Sequence, residues 1–517
     1  MYPGTFAAST PDKDAVVMGS GQRVSYRELD DRSMRLAQLL HSRGLRPGDH
    51  VAIFAENHPR YYEVYWAALR SGLYLTAVNR HLKAEEAAYL VNDSGSTVVI
   101  TTAALAKVAA EMLEHVPDCP TRFMMDGTGP GVPGFESYED AIAGQPAEPL
   151  AQQPRGEVML YSSGTTGQPK GIKRPLSGLM MGDPGAVGTS VLERLLLGMD
   201  ESSVYLCPAP LYHSAGLQWS AGVHELGGTL VILERFDAED FLAIVERERV
   251  THIQVVPTMM VRLLKLDEQT RAKYDLSSLR GIIHAAAPCP VDVKRRMIEW
   301  LGPIIHEYYA ATEGNGLTYI SPQQWLEHPG SVGKPLTGIL HICDETGAEL
   351  KPGEPGLVYF EQPKMTWEYH NEPEKTRGTR HPEHDNWAAL GDIGYVDSGG
   401  YLFLTDRRAF TIISGGVNIY PAEIESTLVG FAGVLDAAVF GLPDPEMGEY
   451  VHAVVQLDAG VAASPELAEE LREYVRVNLA GYKVPRSVDF RAELPRSANG
   501  KLYKGPLREE YLQALKV

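Results

Sequence analysis

Residues 161–171 read YSSGTTGQPKG and directly follow the apolar residues Val158, Met159 and Leu160. This short stretch combines serine and threonine hydroxyls, glycines and one lysine, and such groups together suit the oxygens of a phosphate. The lysine does not directly follow a glycine, so the stretch does not fit the Walker pattern. It therefore predicts a phosphate-binding loop of another kind at the end of a buried strand. The residues predicted to contact phosphate are Ser162, Ser163, Gly164, Thr165, Thr166, Gly167 and Lys170.

The segments around this loop alternate between helical and strand patterns. Helical periodicity runs through residues 25–44, opened by a serine–glutamate capping box, and a short apolar strand follows at 50–57. Strands spaced by helices predict a parallel α/β sheet. Residues 333–404 change to short β-like runs, typical of a small barrel or antiparallel sheet. The remaining residues form a smaller α/β unit, so we predict an N-terminal domain of residues 1–405 and a C-terminal domain of residues 406–517.

The composition argues against several classes of protein. The chain has 517 residues, a formal net charge of −20 and four scattered cysteines. The acidic excess disfavours general binding to nucleic acid or to anionic membranes. No stretch approaches the ~18 consecutive apolar residues that a membrane-spanning helix needs, and the first residues lack a signal-peptide pattern. Because the cysteines have no metal-ligand or redox spacing, a reducing cytoplasm is the expected location.

Further motifs, in a fixed order, accompany the phosphate loop. They are PLYHSAG (210–216), AAAPC (285–289), YYAATEG (308–314), GDIGYVDSGGYLFLTDRRAFTIISGGVNIYPAEIE (391–425) and LPRSANGKLYK (494–504). Together they resemble the motifs of the adenylate-forming superfamily, which includes acyl-CoA synthetases, aryl-CoA ligases, peptide-synthetase adenylation domains and beetle luciferases. The resemblance covers nearly the whole chain. It implies two α/β subdomains and a small β-barrel in a large N-terminal domain, followed by a small, mobile α+β C-terminal domain.

The same resemblance implies roles for residues that bind ATP and Mg²⁺. Glu313 is expected to provide the Mg²⁺ carboxylate, helped by Thr165, since this hard cation prefers oxygen ligands. Tyr309 is expected to stack on adenine and Asp392 to accept hydrogen bonds from the ribose hydroxyls, with Arg407 beside them. The other residues implied on the nucleotide side are Ala286, Ala287, Pro288, Tyr308, Ala310 and Thr312.

Lys501 is expected to stabilise the charge that builds up while the carboxylate attacks phosphorus. With Glu313 and His213 it completes the predicted catalytic residues. Gly415 and Gly416 are expected to line the CoA channel. Arg408 and Ala409 form the expected hinge, where the family commonly has aspartate or lysine in place of Ala409. The residues implied for the acyl pocket are His213, Ser214, Ala215, Gly216, Ala285, Ala310 and Gly314.

The resemblance thus predicts an AMP- and pyrophosphate-forming acid–thiol ligase with ATP, Mg²⁺ and coenzyme A as its cofactor and co-substrates. A fatty or other hydrophobic monocarboxylic acid is the first expectation for the acid, and an aryl or arylpropionic acid is the alternative. A stand-alone adenylating enzyme, a luciferase and a nucleotide-binding relic without activity share these motifs and stay open. The substrates are small molecules, and a homodimer is also left open.

Overall fold

The computed structural model describes residues 1–127, 132–162, 168–414, 417–496 and 502–515. The helices within these ranges are α1 Pro3–Ser9, α2 Tyr26–Ser42, α3 Tyr61–Arg70, α4 Ala84–Asp93, α5 Ala106–Met112, α6 Tyr138–Ala143, α7 Ser190–Leu197, α8 Ser214–Leu226, α9 Ala238–Arg247, α10 Pro257–Lys265, α11 Glu268–Arg271, α12 Val291–Leu301, α13 Pro322–Glu327, α14 Pro373–Arg377, α15 Pro421–Val429, α16 Pro465–Asn478 and α17 Lys504–Ala514. The strands are β1 Asp14–Met18, β2 Arg23–Ser25, β3 His50–Phe54, β4 Tyr74–Val78, β5 Ser96–Thr102, β6 Thr121–Met125, β7 Glu136–Ser137, β8 Glu157–Val158, β9 Leu160–Ser162, β10 Lys170–Lys173, β11 Val204–Cys207, β12 Thr229–Ile232, β13 His252–Val255, β14 Gly281–His284, β15 Ile305–Ala310, β16 Leu317–Ile320, β17 Lys334–Thr337, β18 Ile339–Cys343, β19 Gly356–Glu361, β20 Glu368–Tyr369, β21 Trp387–Val396, β22 Leu402–Arg407, β23 Ile412–Ser414, β24 Val417–Ile419, β25 Val434–Asp444, β26 Gly448–Leu457 and β27 Ser487–Arg491.

Two large sheets carry the N-terminal part of the chain. One has nine strands in the order β17-β16-β15-β14-β13-β11-β12-β1-β2, and the other has six in the order β7-β6-β5-β3-β4-β8. Strands β11, β13, β14 and β15 pair in parallel. Every residue of β3 and β4 is buried, as expected for apolar strands covered by helices on both faces.

Helices α3 and α8 join the two sheets into one core. All ten residues of α3 are buried. The Trp66 indole donates to Nδ1 of His224 at 3.2 Å, and the Tyr62 hydroxyl donates to the Leu217 carbonyl at 2.9 Å. Helix α8 is therefore bound to α3 by hydrogen bonds near both of its ends.

Smaller sheets make up the rest of the described chain. Strands β18, β19, β21 and β22 form an antiparallel sheet beside a three-stranded sheet of β20, β10 and β9, and β23–β27 form a separate mixed sheet. The predicted α/β class, with two α/β subdomains, a small β unit and a small C-terminal α+β unit, is confirmed by this architecture and by the solved structures described below. The serine half of the predicted capping box is present, since Ser25 accepts from the Glu28 backbone N–H at 3.2 Å. Among the described residues, the helices include none with the length and apolar character needed to cross a bilayer.

The contact between α7 and α8 yields a stability prediction. A Cβ added at Gly222 of α8 would overlap the carboxylate of the buried Glu193. Gly222→Ala should therefore destabilise the protein by about 1–3 kcal/mol through overpacking, although alanine ordinarily stabilises a helix interior. Thermal unfolding of the two proteins measures the effect. Gly144→Ala is the matched control because a Cβ there meets nothing within 4 Å, and an equal or higher midpoint for Gly222→Ala would contradict the packing described.

Candidate active site

The carboxyl ends of β11, β13, β14 and β15 lie at one edge of the nine-stranded sheet. The segments that follow three of these strands are the motifs at 210–216, 285–289 and 311–314. Because parallel strands end at the same edge, the fold brings together motifs that are far apart in sequence. Open α/β sheets bind ligands at this edge.

One carboxylate connects two sheets at this edge. Asp392 of β21 accepts from the Tyr309 hydroxyl at 2.6 Å and lies 3.0 Å from Nε of Arg407. Burial, followed by the charge of Asp392, raises the pKa of Tyr309 well above its usual value, so the phenol keeps its proton and donates. The negative charge of Asp392 likewise raises the pKa of Arg407. Three residues that the sequence assigned to nucleotide binding are thus in direct contact.

A second buried carboxylate, that of Glu313, lies on the phosphate-loop side. It accepts from the Tyr369 hydroxyl at 2.8 Å, and Nζ of Lys170 lies 4.7 Å from the centre of the Tyr369 ring. Ser162 and Lys170 are paired across the β9–β10 hairpin. The predicted metal carboxylate and both described ends of the predicted phosphate loop are therefore neighbours. Sequence reasoning missed Tyr369, because no spacing rule links it to a glutamate 56 positions earlier.

The segment around Glu313 is also fixed by Arg174, a residue that sequence reasoning missed. Its guanidinium donates to the Thr312 carbonyl at 2.7 Å. A Cβ at Gly314, whose φ is +70°, would lie 2.8 Å from the same guanidinium. Glycine at position 314 thus permits both the left-handed backbone conformation and the close approach of Arg174.

Strand β14 leads into the AAAPC motif through an unusual backbone conformation. Ala286 has φ = +75°, in the left-handed region that residues other than glycine rarely adopt. Such conformations cluster at ligand-binding sites, where the surrounding structure fixes them. Ala287 and Pro288 follow directly, so all three residues predicted to face adenine belong to this one turn.

The residues predicted for the acyl pocket, apart from Gly314 beside Arg174, belong to α8 and the residue before it and to the ends of β14 and β15. Ala285 is buried, whereas Ala310 is half-buried at the end of β15. Below them the Trp219 ring of α8 stacks on Tyr308, with ring centres 5.4 Å apart and planes at 24°. The side-chain amide of Gln254 donates to the Tyr308 hydroxyl at 2.6 Å. Trp219 and Gln254 were missed because their helical and strand patterns indicate ordinary core positions.

His213 stands immediately before α8 at the mouth of this region. Its ring centre lies 4.4 Å from that of Tyr212. Burial, followed by the nearby phenol of Tyr503, raises the pKa of Tyr212 to about 12. Tyr503 belongs to the C-terminal part of the chain and comes two residues after Lys501, so the C-terminal part approaches the mouth of the predicted pocket.

The predicted hinge residues border a groove of about 420 Å³ lined by Leu390, Gly391, Arg407, Arg408 and Ala409. Arg408 makes an ion pair with Glu345 at 2.5 Å. Several predicted residues lie outside the described residues, namely Ser163, Gly164, Thr165, Thr166, Gly167, Gly415, Gly416 and Lys501.

Two family models match the chain. The model described as AMP-binding enzyme matches residues 5–370, and that described as AMP-binding enzyme C-terminal domain matches residues 423–501. The chain belongs to this family. The predicted resemblance to adenylate-forming, acyl-CoA-synthetase-like enzymes is confirmed, and so is the predicted enzyme class of acid–thiol ligase.

Similar proteins carry related names. A feruloyl-CoA synthase from Amycolatopsis sp. is 34% identical, with 99% of this chain and 98% of that protein covered. The long-chain-fatty-acid–CoA ligase FadD13 of Mycobacterium tuberculosis is 30% identical, with coverages of 95% and 93%. The crystal structure of the anthranilate CoA ligase AuaEII in complex with anthranoyl-AMP superposes with a TM-score of 0.87 at 25% identity, over 100% of this chain and 98% of that one.

The contact between Tyr369 and Glu313 can be tested by removing one oxygen atom. Tyr369→Phe should lower kcat/KM for pyrophosphate release by about tenfold, because a hydrogen bond to a carboxylate contributes roughly 1.5–3 kcal/mol and here it orients Glu313. Tyr138→Phe is the matched control, since Tyr138 donates to the buried Glu63 at 3.0 Å away from the site. Equal activity of Tyr369→Phe and wild-type protein would show that this contact does not orient the carboxylate.

Proposed function

We propose that the chain is an ATP-dependent carboxylate–CoA ligase whose acid is a compact aromatic acid, such as an arylpropenoic acid. In the first step the carboxylate oxygen attacks the α-phosphorus of ATP, the bond to the β-phosphate oxygen breaks, and acyl-AMP and pyrophosphate form. In the second step the CoA thiolate attacks the acyl carbon, and AMP leaves to give the thioester.

The stacked pair of Trp219 and Tyr308 is the observation that carries the choice of acid. Ala215 precedes Trp219 by one helical turn, and Ala310 follows Tyr308 by two positions of a strand, so each alanine shares a face with the aromatic residue below it. We infer that this stacked pair closes the acid pocket beneath the two small side chains and so forms its floor. Such a slot suits a planar ring, whereas a long alkyl chain would have to pass between Trp219 and Tyr308.

The similar proteins support the same class of acid. Feruloyl-CoA synthase and anthranilate CoA ligase are both named for aromatic acids. The second candidate is a fatty acid, the first expectation from the sequence, and it is favoured by the similarity to the long-chain-fatty-acid–CoA ligase FadD13. An aromatic acid would fit while Trp219 and Tyr308 stay stacked, whereas a long fatty acid would require the two rings to separate.

In this proposal the residues of the site bind and orient ATP. Asp392 accepts the ribose hydroxyls, while Arg407 keeps its carboxylate in place. Tyr309 lies against the adenine. The loop from Ser162 to Lys170 contacts the pyrophosphate end of ATP, as its hydroxyls and lysine suggest.

Glu313 fits the proposed Mg²⁺ site by the chemistry of its donor atoms. Mg²⁺ prefers carboxylate oxygens and takes few protein ligands when ATP phosphates are present. Tyr369 donates to one oxygen of Glu313 and so orients the carboxylate. When bound, the cation would neutralise negative charge on the phosphates. Thr165 is proposed as a second contact.

The C-terminal part, residues 406–517, is proposed to act as a movable lid. Lys501 would stabilise the charge that develops during adenylation, and rotation about Arg408 and Ala409 would then bring Gly415 and Gly416 to the CoA arm. Closure would also protect acyl-AMP from water. His213 and Tyr212, near Tyr503, would border the entrance for acid and thiol.

We also propose a cytoplasmic location, supported by the four cysteines, all of which are free thiols. A homodimer stays a prediction, which light scattering after size-exclusion chromatography tests.

A panel of acids tests the proposed substrate class. Cinnamate, ferulate, benzoate, octanoate and palmitate are each supplied with ATP and Mg²⁺, with and without CoA, and pyrophosphate and thioester are measured. We expect kcat/KM to be at least tenfold higher for the aromatic acids than for palmitate. Pyrophosphate without thioester would instead indicate a stand-alone adenylating enzyme.

Trp219→Ala should shift this preference toward longer acids. Opening the floor would allow additional methylene groups to be buried, each contributing about 0.8 kcal/mol, or roughly a fourfold increase in kcat/KM per methylene. Trp300→Ala, at a half-buried tryptophan on α12, is the control and should leave the preference unchanged. If wild-type protein prefers palmitate and Trp219→Ala does not alter that preference, the aromatic-acid proposal fails.

The two half-reactions separate the role of Lys501 from a general effect on folding. Lys501→Ala should lower adenylation by about 10²–10³-fold, the usual effect of removing one group that stabilises transition-state charge. Thioester formation from supplied acyl-AMP should be largely spared. An equal loss in both half-reactions would contradict the proposed role.

A further inference from the structure

A buried charge cluster lies behind the AAAPC motif, on the face of the sheet opposite Trp219. It consists of His284, Lys294 and Glu307, whose side chains are all buried. Nζ of Lys294 lies 2.6 Å from Oε2 of Glu307, and Nε2 of His284 lies 3.3 Å from the same oxygen. Lys294 also lies 4.8 Å from the centre of the buried Trp325 ring. One carboxylate oxygen therefore receives contacts from both basic side chains.

The three residues lie at the two ends of one loop. His284 is the last residue of β14 and pairs with Glu307 on β15. Lys294 lies in the first turn of α12, which begins at Val291. Residues 285–290, here called the adenine-side loop, therefore leave the cluster at His284 and return to it at Lys294.

The charge states in the cluster follow from its surroundings. Burial lowers the pKa of His284, so its imidazole is neutral near pH 7. Burial alone would raise the pKa of Glu307, but the contacts with His284 and Lys294 outweigh it and lower that pKa. The cluster is thus a buried ion pair with a neutral histidine on the same carboxylate oxygen.

A buried ion pair is a poor source of stability, because desolvation of both charges offsets most of their attraction. Apolar residues of similar size can often replace such a pair without loss of stability. Its best-attested use is to fix one arrangement of the chain among several. The adenine-side loop is a segment that needs fixing, since Ala286 has φ = +75° and a non-glycine residue keeps that conformation only where its surroundings impose it.

We propose that His284, Lys294 and Glu307 are positioning residues for ATP, which hold the adenine-side loop in its binding conformation without touching the nucleotide. The proposal rests on the proposed function, in which this loop faces adenine. It extends that function by assigning nucleotide affinity to a cluster on the other face of the sheet. Glu307 also precedes Tyr308 and Tyr309 on β15, so the cluster is continuous with the strand on which adenine is expected to lie.

The double variant Lys294→Met, Glu307→Met tests this role, because it removes both charges and keeps side chains of similar length. Calorimetry with AMP measures nucleotide affinity directly, and initial rates of pyrophosphate release give KM for ATP and for the acid. We expect Kd for AMP and KM for ATP to rise about tenfold, a usual coupling between neighbouring residues of one network. KM for the acid and the thermal midpoint should change little.

Two single variants keep the test informative if the double variant does not fold. His284→Asn removes the imidazole without creating an unpaired charge and should raise KM for ATP by a few-fold. Lys294→Arg retains the charge and should keep nucleotide affinity within about twofold of wild type. The control is Arg32→Met, Glu63→Leu, which replaces the pair formed by Nε of Arg32 and the buried Glu63 at 2.7 Å, away from the site.

The outcomes are distinct. A selective loss of nucleotide affinity in the double variant and in His284→Asn, but not in the control, supports the proposal. Folded variants that bind AMP as wild type does overturn it, and so does an equal rise of KM for ATP and for the acid. Failure of wild-type protein to bind AMP would instead count against the proposed function.

Discussion

The hydrogen bond from Tyr309 to Asp392 is the contact on which the arrangement of the site depends. Tyr309 belongs to the nine-stranded sheet, Asp392 to the small antiparallel sheet, and Arg407 ends the strand that leads to the C-terminal part. One buried carboxylate therefore links the two sheets and the strand that leads to the C-terminal part. In the proposed function this carboxylate also accepts the ribose hydroxyls, so nucleotide binding and placement of the C-terminal part act on the same group. Such a shared acceptor is a physical means of coupling the two.

The parallel sheet explains why distant motifs meet, but it does not by itself provide a rigid site. The loops beyond its carboxyl edge depend on side chains behind them. Arg174 fixes the backbone at Thr312, and Tyr369 orients Glu313. Thr312, Glu313 and Asp392, which are expected on the nucleotide side, are thus each fixed by a partner from another element.

The resemblance carried by the ordered motifs predicted the reaction class, and local patterns predicted the phosphate loop and the general fold. Glycine and hydroxyl residues after an apolar strand, as in residues 161–171, predict a phosphate-binding loop without knowledge of tertiary contacts. The alternation of helices and strands likewise predicted the α/β class, which the structure and the family confirm. Tyr369, Trp219 and the cluster of Lys294 with Glu307 could not be predicted in this way. Their importance arises from pairing across long sequence separations, and each has the local pattern of an ordinary core or loop residue.

The reaction and the choice of acid are expected to depend on different parts of the site. Loops beyond the strand ends are proposed to carry the groups for ATP, and these loops resemble the motifs shared by the family. The acid is expected in the layer between α8 and β15, next to Ala215, Ala310, Trp219 and Tyr308. Substitutions in that layer change the shape of a pocket without moving the loops, because the strands and α8 are anchored elsewhere in the core. A chain can therefore resemble a feruloyl-CoA synthase and a long-chain-fatty-acid–CoA ligase at similar identity, and we expect the side chains of this one layer, rather than overall similarity, to decide which acid fits.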